Sequence, residues 1–347
     1  MNTLEKTVLE RWSEGDYKEY RIPGIIATAA GTILCCYEAR KADCNDWART
    51  DIILARSTDG GKTFGKYLIV KNAQEDDHTY GNPVLIADGD LVHFIWHLDY
   101  ERAFYQVSRD AGVTFSEPME ITDAFREYTD RFPWTVIASG PGHGIALRNG
   151  RLVLPVWLAQ GASLDEQGRR KAHSPSVAGA IYSDDRGKSW HAGDIVPGLV
   201  NGNETTAAEL PDGKVLFNIR HTGPQRYRAV SITTDGIHGF SEPYYDRQLP
   251  DPVCFGSSVK AADSGIWFAN CANGTDSDRI NLTLRYSTDG RTWVRSERFD
   301  PVGGYADICV LDDSVCAFYE QTVHWEGRSV IGQLVFRRLH VQGFIEL

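Results

Sequence analysis

Three arginines lie at or near the ends of strand-like, apolar stretches of this 347-residue chain. Arg21 precedes an Ile-Pro pair, Arg220 closes a Leu-Phe-Asn-Ile run, and Arg285 lies between a leucine and a tyrosine. A guanidinium offers a planar fork of donors that matches a carboxylate. Any one of these arginines would more often form a surface ion pair. If the fold brings all three to one pocket, however, they form a carboxylate clamp.

A tyrosine and a glutamate could supply a nucleophile and its base. Glu204 lies in an Asn-Glu-Thr-Thr stretch 16 residues before Arg220, and Tyr305 follows two glycines. A tyrosine hydroxyl in hydrogen-bond contact with a carboxylate is an activated nucleophile. Taken alone, Gly-Gly-Tyr is typical of a turn with a packed ring, so this pairing depends on the fold.

An acidic loop follows Arg40. It contains Asp43, Asp46 and Asp51. A carboxyl group held in a partly dry pocket can act as a general acid. The alternative for these residues is a solvated acidic loop.

A turn of the pattern Ser-x-Asp-x-Gly-x-Thr-aromatic recurs along the chain, and this repeat indicates how those residues are positioned. Its copies, some of them imperfect, occupy residues 57–64, 108–115, 183–190, 233–240 and 287–293. The copies therefore start 51, 75, 50 and 54 residues apart. The longest gap holds about 25 extra residues, which we expect to be loop within 123–178. A period near 50 residues with a hairpin signature is typical of propeller blades.

The repeat predicts an all-β, six-bladed β-propeller formed by one domain over residues 1–347. A closed ring of small antiparallel sheets protects their edges and brings inner-strand residues from every blade to one axial pocket. We expect residues 1–19 to supply a strand that helps to close the ring. The apolar run at 152–158 predicts a strand buried on both faces.

Composition excludes several classes of function. The formal net charge is −11, whereas nucleic-acid binding needs basic patches. No apolar run reaches the roughly 18 residues of a membrane span. The first residues show no signal-peptide pattern, so we expect a cytoplasmic protein, although a trimmed secreted chain would look the same. The seven cysteines are expected to be buried free thiols, and no zinc-site spacing is present.

The order of these motifs resembles the exo-α-sialidase (neuraminidase) family of bacterial type, with its Asp-box (BNR) repeats. The resemblance runs from about residue 20 to residue 320. Besides the repeated turns, it rests on Tyr-Arg-Ile-Pro at 20–23, Glu-Ala-Arg at 38–40, Gly-Pro-Gly-His-Gly-Ile at 140–145, Asn-Glu at 203–204, Glu-Leu at 209–210 and Pro-Val-Cys at 252–254.

The resemblance implies a six-bladed propeller that removes terminal sialic acid from glycans with retention of configuration. It assigns the substrate carboxylate to Arg21, Arg220 and Arg285, the nucleophile to Tyr305, and its base to Glu204. Asp46 is the predicted acid, with Asp43 as the alternative. Two supporting residues complete the set: Arg40, as a further pocket arginine, and Glu320, which would orient Arg21. No metal or organic cofactor is implied, and the expected partner is a sialylated glycan or free sialoside.

Some segments depart from the family pattern. Thr-Thr-Ala-Ala at 205–208 and Trp-Thr-Val-Ile at 134–137 both differ from the expected runs. They leave the sugar open between N-acetylneuraminic acid, a deaminated nonulosonic acid and an eight-carbon 2-keto-3-deoxy acid. Transfer to another sugar is a further alternative, with Trp47 or Trp134 as an acceptor platform. The alternative from another class is a non-catalytic, glycan-binding propeller.

Overall fold

Six small β-sheets account for almost all of the regular structure. The computed structural model describes residues 2–42, 45–161, 164, 172–262, 265–325 and 328–341. Each sheet has four or five strands, and the sheets follow one another along the chain as blades. The prediction of a six-bladed β-propeller is therefore confirmed.

The strands are numbered in chain order. The first blade contains β2 (Glu19–Ala27), β3 (Ile33–Arg40), β4 (Thr50–Ser57) and β5 (Gly65–Val70), and the sixth blade includes β1 (Asn2–Arg11). The second blade contains β6 (Tyr80–Asp88), β7 (Leu91–Leu98), β8 (Arg102–Ser108), β9 (Met119–Glu120) and β11 (Gly142–His143). The third contains β10 (Val136–Ser139), β12 (Ile145–Ala146), β13 (Leu152–Ala159), β14 (Ser176–Ser183) and β15 (His191–Ile195).

The remaining blades have four strands each. The fourth contains β16 (Gly202–Glu209), β17 (Val215–His221), β18 (Tyr227–Thr233) and β19 (Tyr244–Pro250). The fifth contains β20 (Ser257–Lys260), β21 (Ile266–Cys271), β22 (Ile280–Ser287) and β23 (Trp293–Val302). The sixth contains β24 (Ala306–Leu311), β25 (Ser314–Trp325) and β26 (Arg328–His340), together with β1. A single short helix, α1 (Thr122–Arg126), belongs to the described part of the chain, where no helix is long and apolar enough to cross a bilayer.

The sixth blade closes the ring with both ends of the described chain. Strand β1 pairs antiparallel with β26, so the predicted closing strand near the N-terminus is confirmed. Strand β13 is buried along its whole length, as its apolar run predicted. Such strands pack between neighbouring blades, and the hydrophobic core is divided into clusters of buried residues.

The repeated turns are held by their own side chains. In the first turn, the Ser57 hydroxyl oxygen accepts a hydrogen bond from the Gly61 N–H at 3.0 Å. The Asp59 carboxylate accepts from the Thr63 N–H at 3.0 Å and from the Thr63 hydroxyl at 2.6 Å. Equivalent bonds hold the second turn, where Thr114 and Ser108 lower the pKa of Asp110 to about 2.

Each turn also fixes the distance to the preceding blade. A Cβ built on Gly61, whose φ is +93°, would lie 2.0 Å from the Phe336 ring of the sixth blade. The equivalent glycines 112, 187, 236 and 290 face Leu34, Tyr105, Val153 and Leu216, each one blade back. The glycine of the repeat is therefore required both for its positive φ and for close packing between blades.

Gly61→Ala should be clearly destabilising. A left-handed alanine costs about 1–2 kcal/mol, and overpacking against Phe336 adds about 1–3 kcal/mol. Gly213→Ala is the matched control, because Gly213 has a φ of +86° but no atom within 4 Å of the added Cβ. Urea unfolding should show a lower free energy of unfolding for Gly61→Ala than for the control. Equal losses would mean that the turn does not set the spacing between blades.

Candidate active site

One end of the propeller axis opens into a cavity of about 420 Å³ to which all six blades contribute. The lining residues are Arg21, Ile22, Asp46, Asn82, Tyr100, Trp157, His173, Ser174, Asn203, Glu204, Arg220, Thr222, Arg279 and Tyr305. Most of them lie at the starts of inner strands or in the connections from the second to the third strand of a blade. The Asp turns connect third strands to fourth strands, so they lie at the opposite end of each blade.

Irregular pairing in three inner strands aims polar groups at this cavity. The register shifts between Arg21 and Gly24 in β2, between Gly81 and Val84 in β6, and between Gly202 and Thr205 in β16. Ile22 and Asn82 have positive φ angles of 59° and 48° at these points. A β-bulge bends its strand and redirects side chains, and here the bulges lie beside cavity-lining residues.

Tyr305 and Glu204 meet at the bottom of the cavity. The Tyr305 hydroxyl donates a hydrogen bond of 2.5 Å to Glu204 Oε1. Arg220 Nη1 donates to Glu204 Oε2 at 2.5 Å and to Tyr305 Oη at 2.9 Å. Burial and the Glu204 carboxylate raise the pKa of Tyr305 well above its ordinary value, while Arg220 opposes them. The resting tyrosine is therefore neutral, with its proton directed at a carboxylate.

Three guanidiniums surround the tyrosine ring. The Cζ atoms of Arg279, Arg21 and Arg220 lie 4.9, 5.3 and 6.0 Å from its centroid. A carboxylate placed over the Tyr305 hydroxyl would face all three. The cavity thus has the geometry of a carboxylate clamp built around a tyrosine hydroxyl.

Glu320 holds two parts of this site together. It accepts a hydrogen bond of 2.7 Å from Arg21 Nε and one of 3.0 Å from the Tyr305 backbone N–H. Arg279 Nη1 lies 3.9 Å from Glu320 Oε2, the oxygen that accepts from the Tyr305 N–H. Burial opposes ionisation, but Arg21 and Arg279 lower the pKa of Glu320. The predicted contact between Glu320 and Arg21 is present.

The structure does not bring Arg285 to the cavity. Arg285 lies within β22, two residues before the last Asp turn, and donates a 2.7 Å hydrogen bond to Asn270. Its neighbour along the chain, Arg279, lies in the connection that precedes β22 and lines the cavity instead. Six residues of β-strand span about 20 Å, so Arg279 and Arg285 lie at opposite ends of the blade. Proximity to an Asp turn therefore pointed to the wrong end.

The acidic loop contributes Asp46 to the cavity. Fully buried Arg40 donates to Asp46 Oδ1 at 2.8 Å and to Glu38 at 2.8 Å. Burial raises the pKa of Asp46, but Arg40 and a hydrogen bond from His173 outweigh it and hold that pKa well below its usual value. Asp43, the alternative acid, lies outside the described residues. Asp51 instead accepts a 2.6 Å hydrogen bond from Tyr17 and does not line the cavity.

Several lining residues were missed from sequence. Asn82 and Tyr100 come from the second blade, and Trp157 and His173 from the third. When the blades are aligned, two positions can be recognised in each: the start of the inner strand and the connection from the second to the third strand. Asn82 occupies the first position and Arg279 the second, so both residues could have been predicted in this way. Among the described residues, no group of three or more His, Cys, Asp or Glu side chains could hold a metal ion.

Comparison with known proteins agrees with this geometry. The family model of the BNR repeat-like domain matches residues 26–315. A sialidase from Micromonospora viridifaciens is 30% identical over 330 residues, which cover 86% of this chain and 49% of that protein. The chain belongs to the bacterial-type sialidase family with BNR repeats. A Bacteroides fragilis sialidase is 28% identical, and 60% of its length is covered; the chain thus spans about half to three fifths of these relatives.

Solved structures share the sialidase fold. Hadza microbial sialidase Hz136 superposes with a TM-score of 0.75 at 24% identity, covering 94% of this chain and 67% of that one. An intramolecular trans-sialidase from Ruminococcus gnavus gives 0.76 at 17% identity, covering 96% of each chain. At these identities the likeness shows the fold alone.

Arg279→Gln should weaken binding of a sialic acid analogue at least about tenfold. A hydrogen bond between charged groups contributes about 1.5–3 kcal/mol, and 1.4 kcal/mol is a factor of ten. Arg285→Gln is the matched control and should leave the affinity within about twofold. Calorimetric titration measures both, with circular dichroism to verify folding. Weaker binding in the Arg285 variant alone would restore the original assignment.

Proposed function

We propose that this protein is a retaining exo-α-sialidase that hydrolyses terminal sialic acid from glycoconjugates through Tyr305. The observation that carries the proposal is the 2.5 Å hydrogen bond from Tyr305 to Glu204 inside a ring of three guanidiniums. Family membership supports it, since the similar proteins of Micromonospora and Bacteroides are named sialidases. Sialidases are known exceptions to two-carboxylate glycoside hydrolysis because they use a tyrosine nucleophile.

A neutral nucleophile suits this substrate. The anomeric carbon of a sialoside already bears a carboxylate, so an attacking aspartate or glutamate would meet like charge. A tyrosine hydroxyl avoids that repulsion until its proton leaves. Glu204 is placed to accept the proton, and Arg220 contacts both partners, which stabilises the charge as it moves between them.

The clamp orients the sugar. Arg21, Arg220 and Arg279 would bind the substrate carboxylate and so place the anomeric carbon over Tyr305 Oη. Glu320 keeps Arg21 in position by accepting from its Nε, which leaves the terminal nitrogens of that guanidinium available to a ligand. Because the guanidiniums are already arranged around the ring, little reorganisation is needed on binding.

Asp46 is the proposed acid and base. In the first step Tyr305 Oη bonds to the anomeric carbon and passes its proton to Glu204, while the glycosidic oxygen leaves with a proton from Asp46. In the second step Asp46 takes a proton from water, and that water displaces Tyr305, which regains its proton from Glu204. Two displacements at one carbon give net retention.

A second cavity of about 310 Å³ suits the leaving group. It shares Arg21, Asp46 and Arg279 with the first cavity, and its other lining residues are Glu19, Ser277, Asp278, Thr322 and Ile331. The carboxylate and glycosidic oxygen of a sialoside are attached to the same carbon. A leaving group that departs between the clamp and the acid would therefore enter this second cavity.

Hydrolysis is proposed in preference to transfer. The two tryptophans considered as an acceptor platform do not line either of these cavities. Trp134 donates its indole N–H to the Phe125 carbonyl, and Trp47 is buried beneath His173.

We propose a sialylated glycan or free sialoside as the partner. The six described cysteines are buried free thiols, and the cytoplasmic location stays a prediction.

Tyr305→Phe should lower turnover of a fluorogenic N-acetylneuraminic acid glycoside by at least about 10³-fold, because it removes the nucleophile. The matched control is Tyr319→Phe, which removes a buried hydroxyl that donates to Asp300 at 2.8 Å away from the cavity. Near-normal activity of the Tyr305 variant would remove this residue from the nucleophile role.

An inactive but folded wild type would direct the assay to glycosides of the deaminated and eight-carbon 2-keto-3-deoxy acids. Binding of these sugars without cleavage of any of them would favour the non-catalytic, glycan-binding alternative.

Asp46→Asn should impair natural glycosides at least about tenfold more than aryl glycosides with good leaving groups, which need little protonation. Comparing kcat for both substrates measures this ratio. Asp43→Asn is the companion variant, and it should leave the ratio unchanged. The opposite pattern would transfer the acid role to Asp43.

A further inference from the structure

The connection from β13 to β14 carries a histidine into the wall of the cavity. This connection lies in the longest gap between Asp turns, the one with about 25 extra residues, and His173 stands near its end. His173 Nε2 lies 3.3 Å from Asp46 Oδ2. The third blade thus contacts the acid supplied by the first blade, 127 residues earlier in the chain.

Aromatic rings hold the imidazole in place. His173 stacks on Trp47 with centroids 4.6 Å apart and planes tilted by 30°. The rings of Trp157 and Tyr100 meet it edge-on at 5.2 and 5.7 Å. Within the described residues its Nδ1 is buried and has no hydrogen-bond partner. Among the described residues, the polar contact of the ring is therefore the one with Asp46.

We propose that His173 is a positioning residue that holds the proton used by Asp46, so that the acid of this enzyme is a histidine–aspartate pair. This inference rests on the proposed sialidase function. It assigns a part in the reaction to the connection from β13 to β14.

The need for such a partner follows from the surroundings of Asp46. An acid must carry a proton before it can donate one, yet Arg40 contacts Asp46 Oδ1 at 2.8 Å and favours its ionised form. The hydrogen bond from His173 and the positive charge of Arg21 act in the same direction, and the pKa of Asp46 is held well below its usual range. His173 Nε2 lies 3.3 Å from Asp46 Oδ2 and offers a second atom on which a proton can be held beside the acid, whereas an isolated carboxyl in these surroundings would lose it.

The groups around His173 keep its Nε2 directed at Asp46. Trp47 lies against one face of the imidazole, and Trp157 and Tyr100 meet the ring edge-on. The titratable groups that face His173 are Asp46 from the first blade and Tyr100 from the second, and Arg40 acts on the pair through Asp46.

The proton balance is simple. The pair starts with one transferable proton, shared between His173 Nε2 and Asp46 Oδ2. As the bond from the anomeric carbon to the glycosidic oxygen breaks, the electron pair stays on that oxygen, which takes this proton through Asp46 and leaves Asp46 ionised. In the second step Asp46 accepts a proton from the attacking water and shares it again with His173 Nε2, so the pair returns to its starting state.

The first test is the pH profile of His173→Gln. Glutamine keeps an N–H donor for Asp46 but cannot titrate. The alkaline limb of kcat for a natural sialoside should move to lower pH by at least one unit, whereas kcat for an aryl sialoside should change at most a few-fold. His191→Gln is the matched control, since His191 pairs with Glu127 at 3.2 Å on the outer strand β15. An unshifted alkaline limb in a folded His173 variant would overturn the proposal.

The second test does not depend on activity. In the wild type, NMR titration of the His173 imidazole should be coupled to Asp46, and Asp46→Asn should lower its midpoint because the neighbouring negative charge is lost. Equal midpoints would overturn the pairing even in an active enzyme. If no glycoside is cleaved by the wild type, the proposed function fails, while this titration still decides whether the two residues share a proton.

Discussion

Pairing of buried charge is the constraint on which the cavity end of this propeller depends. A guanidinium away from water is tolerated beside a carboxylate. The pairs are Arg21 and Arg279 with Glu320, Arg220 with Glu204, and Arg40 with Glu38 and Asp46. In Arg21, Arg220 and Arg40 the carboxylates raise the pKa against the effect of burial. The pKa of Arg279 is also raised against burial, by Cys254 and Tyr305 first and then by Glu320. Arg285 faces the neutral amide of Asn270, and burial lowers its pKa to about 10.

These pairs also tie the blades together. Glu320 belongs to the sixth blade, yet it contacts Arg21 in the first and lies near Arg279 in the fifth. The Tyr305 hydroxyl joins the sixth blade to Glu204 in the fourth, 101 residues away. In these pairs both oxygens of the carboxylate have partners. Removing one member of a pair would therefore leave the charge of the other member buried and unpaired. The arrangement that supports the proposed chemistry is therefore also part of what holds the blades in position around the axis.

The two ends of each blade have different tasks. At one end the Asp turns set the spacing between neighbours through their glycines and through hydrogen bonds local to the turn. At the other end, bulges in β2, β6 and β16 break regular pairing and aim side chains at the cavity. Three inner strands thus depart from regular pairing at the end where the functional groups lie. The loop that carries His173 adds to this end a contact between the first and third blades.

The propeller and its closing strand could be inferred from the sequence, because a repeat with a fixed turn chemistry predicts a ring of blades. The grouping of Arg21, Arg220, Glu204, Tyr305 and Asp46 was implied by the resemblance to the sialidase family. The third arginine was assigned to the wrong residue, because its proximity to an Asp turn was followed instead of its position in the connection from the second to the third strand. Arg279 and Arg285 lie six residues apart near the same strand, and pairing within the blade decides which end of it each one occupies. The role of His173 could not be predicted either, since its contact with Asp46 depends on the path that the loop from β13 to β14 takes toward the first blade. Local patterns encode blades, whereas contacts between distant loops depend on how the blades pack.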